Sequence, residues 1–166
     1  MTNRSTHAYD GPLALFLIGV RIHQPWRLGV IGQVIRAMPP MIAELERNKA
    51  AAARGQEESL GYLGSRSTVD LTGTTMIQWW RSTEDIYAYA SSTDHRHREA
   101  WVEFYRRAKN APRALTIWHE TYAVAPAGAE SLYGTDQPYG LGTVAGVVPV
   151  GRRGETARER LGGTAA

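Results

Sequence analysis

Residues 12–22 read PLALFLIGVRI. The stretch from Leu13 to Val20 is apolar throughout, and Arg21 and His23 follow it at once. It is far shorter than the roughly 20 residues needed to cross a bilayer. Asp10 lies just before it and no small-residue cleavage site comes after it, so it does not read as a signal peptide either. A short, continuous apolar run is what a central strand needs when both faces of its sheet are covered. This strand is taken as the middle of the fold.

Moving toward the C-terminus, residues 26–45 place Val30, Ile31, Val34, Ile35, Met38, Met41, Ile42 and Leu45 at helical spacing along one stripe. Pro39 and Pro40 each remove a backbone donor, so this helix should kink or restart there. Residues 48–58 are small and charged, as in a fraying helix end and loop. Two strand-like stretches follow, 60–69 and 74–81 (TTMIQWWR), joined through a loop at Asp70 to Gly73, and they read as a hairpin. Ser82, Thr83, Glu84 and Asp85 open a short helix, because an N-cap oxygen satisfies a free amide and acids suit the positive end of the dipole. Asp94 can cap another, which sets His97, Trp101, Phe104 and Tyr105 on one face. Residues 114–124 (ALTIWHETYAV) are β-branched and aromatic, and 129–133 read as a shorter strand.

The order β, α, β, β, α, β is the ferredoxin-like signature, an α+β fold with an antiparallel sheet and helices on one face. The other face would leave Trp79, Trp80, Trp118 and Tyr122 in water. A homodimer that joins two sheets face to face, a dimeric α/β barrel, would bury them. Residues 1–11 are expected to be a flexible N-terminus, 12–150 the single domain, and 151–166 a flexible C-terminal tail with too few apolar residues to order itself.

At 166 residues, 43% hydrophobic and 21% charged, the chain suits one globular domain. Cysteine is absent, which removes disulfides and thiolate chemistry and makes a cytoplasmic setting the simplest expectation. The net charge of +3 is scattered, with only Lys49 and Lys109 as lysines, and no nucleic-acid-binding module is present. Neither nucleic acid nor membrane is expected as a partner. No phosphate-binding glycine loop, H-E-x-x-H or G-x-S-x-G pattern occurs.

Two segments could carry chemistry. In Trp118-His119-Glu120-Thr121-Tyr122, strand alternation sends Trp118, Glu120 and Tyr122 one way and His119 and Thr121 the other. His119 and Glu120 therefore cannot share a cavity without a bulge. In Asp94-His95-Arg96-His97-Arg98-Glu99-Ala100-Trp101, His97 and Trp101 lie one turn apart on the apolar face. An imidazole there, with an ordinary pKa of about 6.5, could be a general base or an axial haem ligand. Structural histidines are the alternative for both segments. A metal site of His95, His97 and His119 is disfavoured, since i, i+2 spacing on a helix makes the first two diverge. Trp79, Trp80, Tyr87, Tyr89, Trp101, Tyr105, Trp118, Tyr122 and Tyr139 could line a pocket, Trp79, Trp101, Trp118 and Tyr122 being the ones taken for the substrate, although most aromatics at such spacing are core.

The segments FLIGVRIHQPWR, MPPMIAEL, QWWRSTEDIYAYA, HREAWVEFYR and IWHETYAVAPAGAESLY, followed by YGLG, resemble the DUF4188 proteins. These are monooxygenase-like members of the dimeric α/β-barrel superfamily. The resemblance implies that fold, a dimer, and relatives that include cofactor-free oxygenases, haem-degrading enzymes and haem-dependent dehydratases. It implies His97 and Trp101, in an H-x-x-A-W pattern, and Trp118, His119 and Glu120 as the family-like positions. The function expected is a monooxygenase-like oxidoreductase acting on a small hydrophobic or aromatic molecule. His97, His119 and Glu120 would be catalytic, and the cofactor would be none or haem, held by His97. The alternatives are a haem-dependent dehydratase or haem-binding protein, a non-enzymatic dimer that binds a small ligand, and a cyclase or isomerase.

Overall fold

The computed structural model describes residues 4–36, 38–92, 102, 106, 109 and 113–162. The apolar run forms β2 (Leu13–Ile22), preceded by β1 (Ser5–His7) and followed by α1 (Leu28–Ile35) and α2 (Met38–Ala53). Next come β3 (Tyr62–Asp70), β4 (Gly73–Trp80), α3 (Thr83–Ser91) and β5 (Leu115–Val124). The C-terminal part holds α4 (Leu141–Ala145), β6 (Val147–Pro149) and α5 (Ala157–Arg160).

The main sheet is four-stranded in the order β3-β4-β2-β5, with antiparallel pairing throughout. Counting only its own strands, the first lies between the third and the fourth, which is the ferredoxin-like arrangement expected from the sequence. The apolar run becomes an inner strand because both of its edges are paired, to β4 and to β5. A small second sheet pairs β1 with β6.

Register then divides the side chains. Ala14 pairs with Trp80 and Ala123, Phe16 with Gln78 and Thr121, and Ile18 with Met76 and His119. These rows face α2 and α3, whose Leu45, Ile86 and Tyr89 close a core with Ala14, Tyr62 and Trp80. On the opposite face, Leu15 pairs with Trp79 and Tyr122, Leu17 with Glu120, and Gly19 with Trp118. A bulge between Tyr62 and Gly64 lets Tyr62 join the helical side while Leu63 joins the other.

This corrects the expectation of one uncovered face carrying Trp79, Trp80, Trp118 and Tyr122. Trp79 and Trp80 are consecutive in a strand and so point to opposite faces. Trp80 is buried under the helices, and Trp79 is buried with Leu13 beneath Leu141 of the chain's own α4. Only Trp118, half-buried, and Tyr122, exposed, are left on the open part of that face. Trp118 lies against Gly19, where a Cβ would come 2.6 Å from its ring.

Local expectations hold in several places. Ser82 caps α3 through Asp85 N–H at 3.0 Å. The β3–β4 turn is closed by Asp70 Oδ1, which accepts from the Thr72 N–H and hydroxyl, both at 2.6 Å. α1 ends at Ile35 and α2 begins at Met38, ahead of the prolines. Pro39 and Pro40 then occupy the first turn of α2, where their missing donors cost nothing. Residues 129–133 do not form the expected strand: Tyr133 alone makes a bridge, to Ser5.

Within the two segments expected to be flexible, the described residues form β1 and α5. Ser5, Thr6 and His7 are buried in the β1–β6 pair, which Ser131 secures through the His7 N–H at 3.0 Å. Arg160 is buried, with Nε 2.8 Å from Glu130 Oε1 and Nη1 3.0 Å from the carbonyls of Gly154 and Glu155. A capping box between Thr156 and Glu159 starts α5. Ladder bonds, caps and an ion pair supply order that a count of apolar residues does not register. Among the described residues, no helix is long and apolar enough to cross a membrane.

Candidate functional site

Between the sheet and α2–α3 lies a cavity of about 570 Å³, within the range of small-molecule sites. Its floor is Phe16, Ile18, Gln78, Trp80, His119 and Thr121, the residues that register places in adjacent rows. Met38, Met41, Ile42 and Leu45 of α2 form one wall, and Ile86, Tyr87, Tyr89 and Ala90 of α3 another, with Val102 beside them. Among the described residues, the lining is apolar apart from Gln78, His119 and Thr121 on the sheet and the tyrosines Tyr87 and Tyr89 on α3. The Tyr89 phenol is pushed up by burial first and by the neighbouring Glu44 carboxylate second, so it stays protonated.

Each polar group has a structural reason for its place. His119 is on β5 with its ring centroid 5.7 Å from that of Phe16 in a tilted arrangement, and it is exposed rather than enclosed. Thr121 follows two residues later on the same face. Gln78 is buried, and its Oε1 accepts from the Trp80 indole N–H at 3.0 Å. Trp80 is itself held edge-on by Tyr62, ring centroids 5.5 Å apart, and tilted against Tyr89 at 5.7 Å.

The strand alternation read from the sequence is therefore seen in β5, and the structure decides which side holds the cavity. His119 reaches it. Glu120 does not: its Oε2 accepts from the Tyr122 hydroxyl at 2.7 Å on the opposite face. Trp79, Trp118 and Tyr122, expected as pocket residues, also belong to that face. His95, His97 and Trp101 lie outside the described residues.

Sequence reasoning named Trp80, Tyr87 and Tyr89 among the pocket aromatics and missed Gln78, Thr121 and Phe16. One signal was available: Gln78 is the lone amide in a strand, TTMIQWW, that is otherwise apolar or hydroxyl-bearing, two residues from Trp80 and so on its face. Among the described residues, no arginine or lysine lines the cavity. Nor do three or more His, Asp or Glu side chains converge among the described residues to hold a metal ion.

A family model described as monooxygenase af470-like matches residues 13–141. Among solved structures, the chain is similar to SnoaB, a cofactor-independent oxygenase from Streptomyces nogalater. The identity is 11% over 69% of this chain and 95% of that one, with a TM-score of 0.37. A conserved protein of unknown function from Bacteroides thetaiotaomicron matches at 14% identity over 69% and 99%, with a TM-score of 0.34. A proposed antibiotic biosynthesis monooxygenase from Chloroflexus aurantiacus matches at 14% over 68% and 93%, with a TM-score of 0.33. No curated protein matches the sequence.

Proposed function

The chain belongs to the monooxygenase af470-like family, and from that premise we propose that it oxygenates a small hydrophobic or aromatic molecule bound in the cavity between sheet and helices. The observation that carries this reading is the confinement of polarity: an apolar chamber of about 570 Å³ with His119, Thr121 and Gln78 gathered on one floor. Apolar walls bind and orient a ring system and exclude water, and a few convergent polar groups act on one end of it. Within the family we place the chain with the DUF4188 proteins, on the segments HREAWVEFYR and IWHETYAVAPAGAESLY. A cytoplasmic setting accords with the lack of cysteine.

In this reading His119 takes a proton from a substrate C–H made acidic by the adjoining ring, and the resulting carbanion reacts with O2. The substrate supplies the electrons. A CH2 group becomes C=O, one oxygen atom enters the product, and the other leaves as water with the two hydrogens. No external reductant is then needed, and no resident cofactor is part of the scheme.

The test is oxygen uptake and 18O incorporation from 18O2 across a panel of ring compounds with acidic CH2 groups. His119→Ala should lower kcat by about 10²- to 10⁴-fold, the usual worth of a positioned acid or base. Ile18→Trp should block binding by filling the cavity. Undiminished turnover in both variants would move the reaction elsewhere. Binding without oxygen uptake would make this a ligand-binding protein, and a saturable Soret band on titration with hemin would restore a haem-based reading.

A further inference from the structure

We infer that Gln78 selects the substrate, its side-chain N–H receiving an acceptor oxygen, carbonyl or hydroxyl, on an otherwise apolar ring molecule; the inference rests on the reading of the cavity as the reaction site. A carboxamide can turn end for end unless a neighbour tells nitrogen from oxygen. Trp80 does this. An indole N–H only donates, and it donates to Gln78 Oε1 at 3.0 Å, so the oxygen is committed to Trp80 and the nitrogen to the other side.

What the nitrogen meets is meagre. Its acceptor among the described residues is the Met76 thioether at 3.4 Å, a weak one, and the second amide proton has none among them. Gln78 is buried at the cavity floor. The lining residues Phe16, Ile18, Ile86 and Val102 carry no side-chain acceptor, and the bonds Gln78 makes among the described residues go to Met76 and Trp80 rather than to His119 or Thr121 on the same floor. A buried donor short of an acceptor is costly, so a substrate that brings an oxygen gains a hydrogen bond for which, among the described residues, only the Met76 thioether competes. A hydrocarbon of the same shape gains nothing.

The direction of the donor is set by the core. Trp80 is 1% exposed and packed against Tyr62 and Tyr89, so it cannot turn away from Gln78. Trp80 is thus a positioning residue and Gln78 a binding one.

The experiment uses a matched pair of probes, 9-fluorenone and fluorene, with tryptophan fluorescence for affinity and the infrared carbonyl band of bound 9-fluorenone for the hydrogen bond. The ketone should bind about fivefold more tightly, as one net hydrogen bond allows, with its carbonyl band below the frequency in hydrocarbon solvent. Gln78→Met should abolish both effects while fluorene binds as before, and Trp80→Phe should weaken the preference by freeing the amide to turn. Equal binding of the two probes with an unshifted band in the unaltered protein would overturn the inference and leave the cavity reading standing. Failure of both probes to enter would overturn the two together. If Gln78→Met does not fold, Thr121→Val and His119→Phe decide: a shift that survives both assigns it to Gln78, and loss in either overturns the assignment.

Discussion

The two described histidines with the clearest surroundings have opposite ones. His119 is exposed beside Phe16 at the cavity floor, whereas His7 is 1% exposed in the β1–β6 sheet, with Nδ1 2.8 Å from Ser131 Oγ. Burial first, and the Arg153 guanidinium second, hold the His7 imidazole below its ordinary pKa of 6.5. The unfolded chain therefore binds this proton at a higher pH than the folded one. Stability from this group is complete above 6.5 and falls as pH drops through the window below it. We expect Tm to fall between pH 7 and 5, and to fall less steeply in His7→Gln; parallel slopes in thermal unfolding would remove His7 as the cause. The His119→Ala loss of turnover belongs to the same scale, because it depends on one imidazole facing the cavity.

Strands and helices here depend on a few junctions where space or charge leaves one solution. Gly73 opens β4 opposite Arg21 with φ at +156°, and a Cβ there would stand 1.8 Å from the Val20 carbonyl oxygen. Gly73→Ala should cost roughly 2 kcal/mol or more, read from urea unfolding, because the strand must both strain and retreat from its neighbour. At the C-terminal end, α4 covers Trp79, and Arg66 stacks over Tyr139 with its guanidinium carbon 3.9 Å from the ring centroid. Arg160 then ties α5 to Glu130. Arg160→Ala should cost about 2 kcal/mol, below the usual cost of breaking a fully buried pair because Glu130 keeps contact with water. Limited proteolysis should cut the variant after α4 sooner than the unaltered chain.

The molecule as a whole uses both faces of one sheet differently. Its helical face encloses the cavity, and its other face is partly covered by the chain's own C-terminal elements. That cover ends short of Leu17, Trp118 and Tyr122, which leaves a smaller patch than the sequence suggested. We propose that a second copy completes this face. Sedimentation equilibrium should show a homodimer, and Trp118→Arg should shift it to monomer while fluorene binding is kept. A monomer at micromolar concentration without the substitution would mean that α4 and its neighbours suffice.

Much of this was legible in the sequence, and the reason is locality. The apolar run of β2, the helical stripe of α2, the Ser82 cap and the hairpin turn are decided by residues close together in the chain, so spacing and propensity report them. The β-α-β-β-α-β order followed from the same signals. Strand alternation likewise separated His119 and Thr121 from Trp118, Glu120 and Tyr122. What alternation cannot do is label a face. A period of two produces two faces of equal standing, and the one that becomes a cavity is the one the helices cross, which is settled by packing between elements far apart in sequence. For that reason the sequence did not separate Glu120, Trp79, Trp118 and Tyr122 from the cavity, and the tertiary structure puts them on the other face; Gln78 became visible only when Trp80 was seen to hold its oxygen. The pairing of Ser5–His7 with Val147–Pro149 is of the same kind: neither segment has a partner nearby in the chain, and only the closed fold brings them within hydrogen-bonding reach.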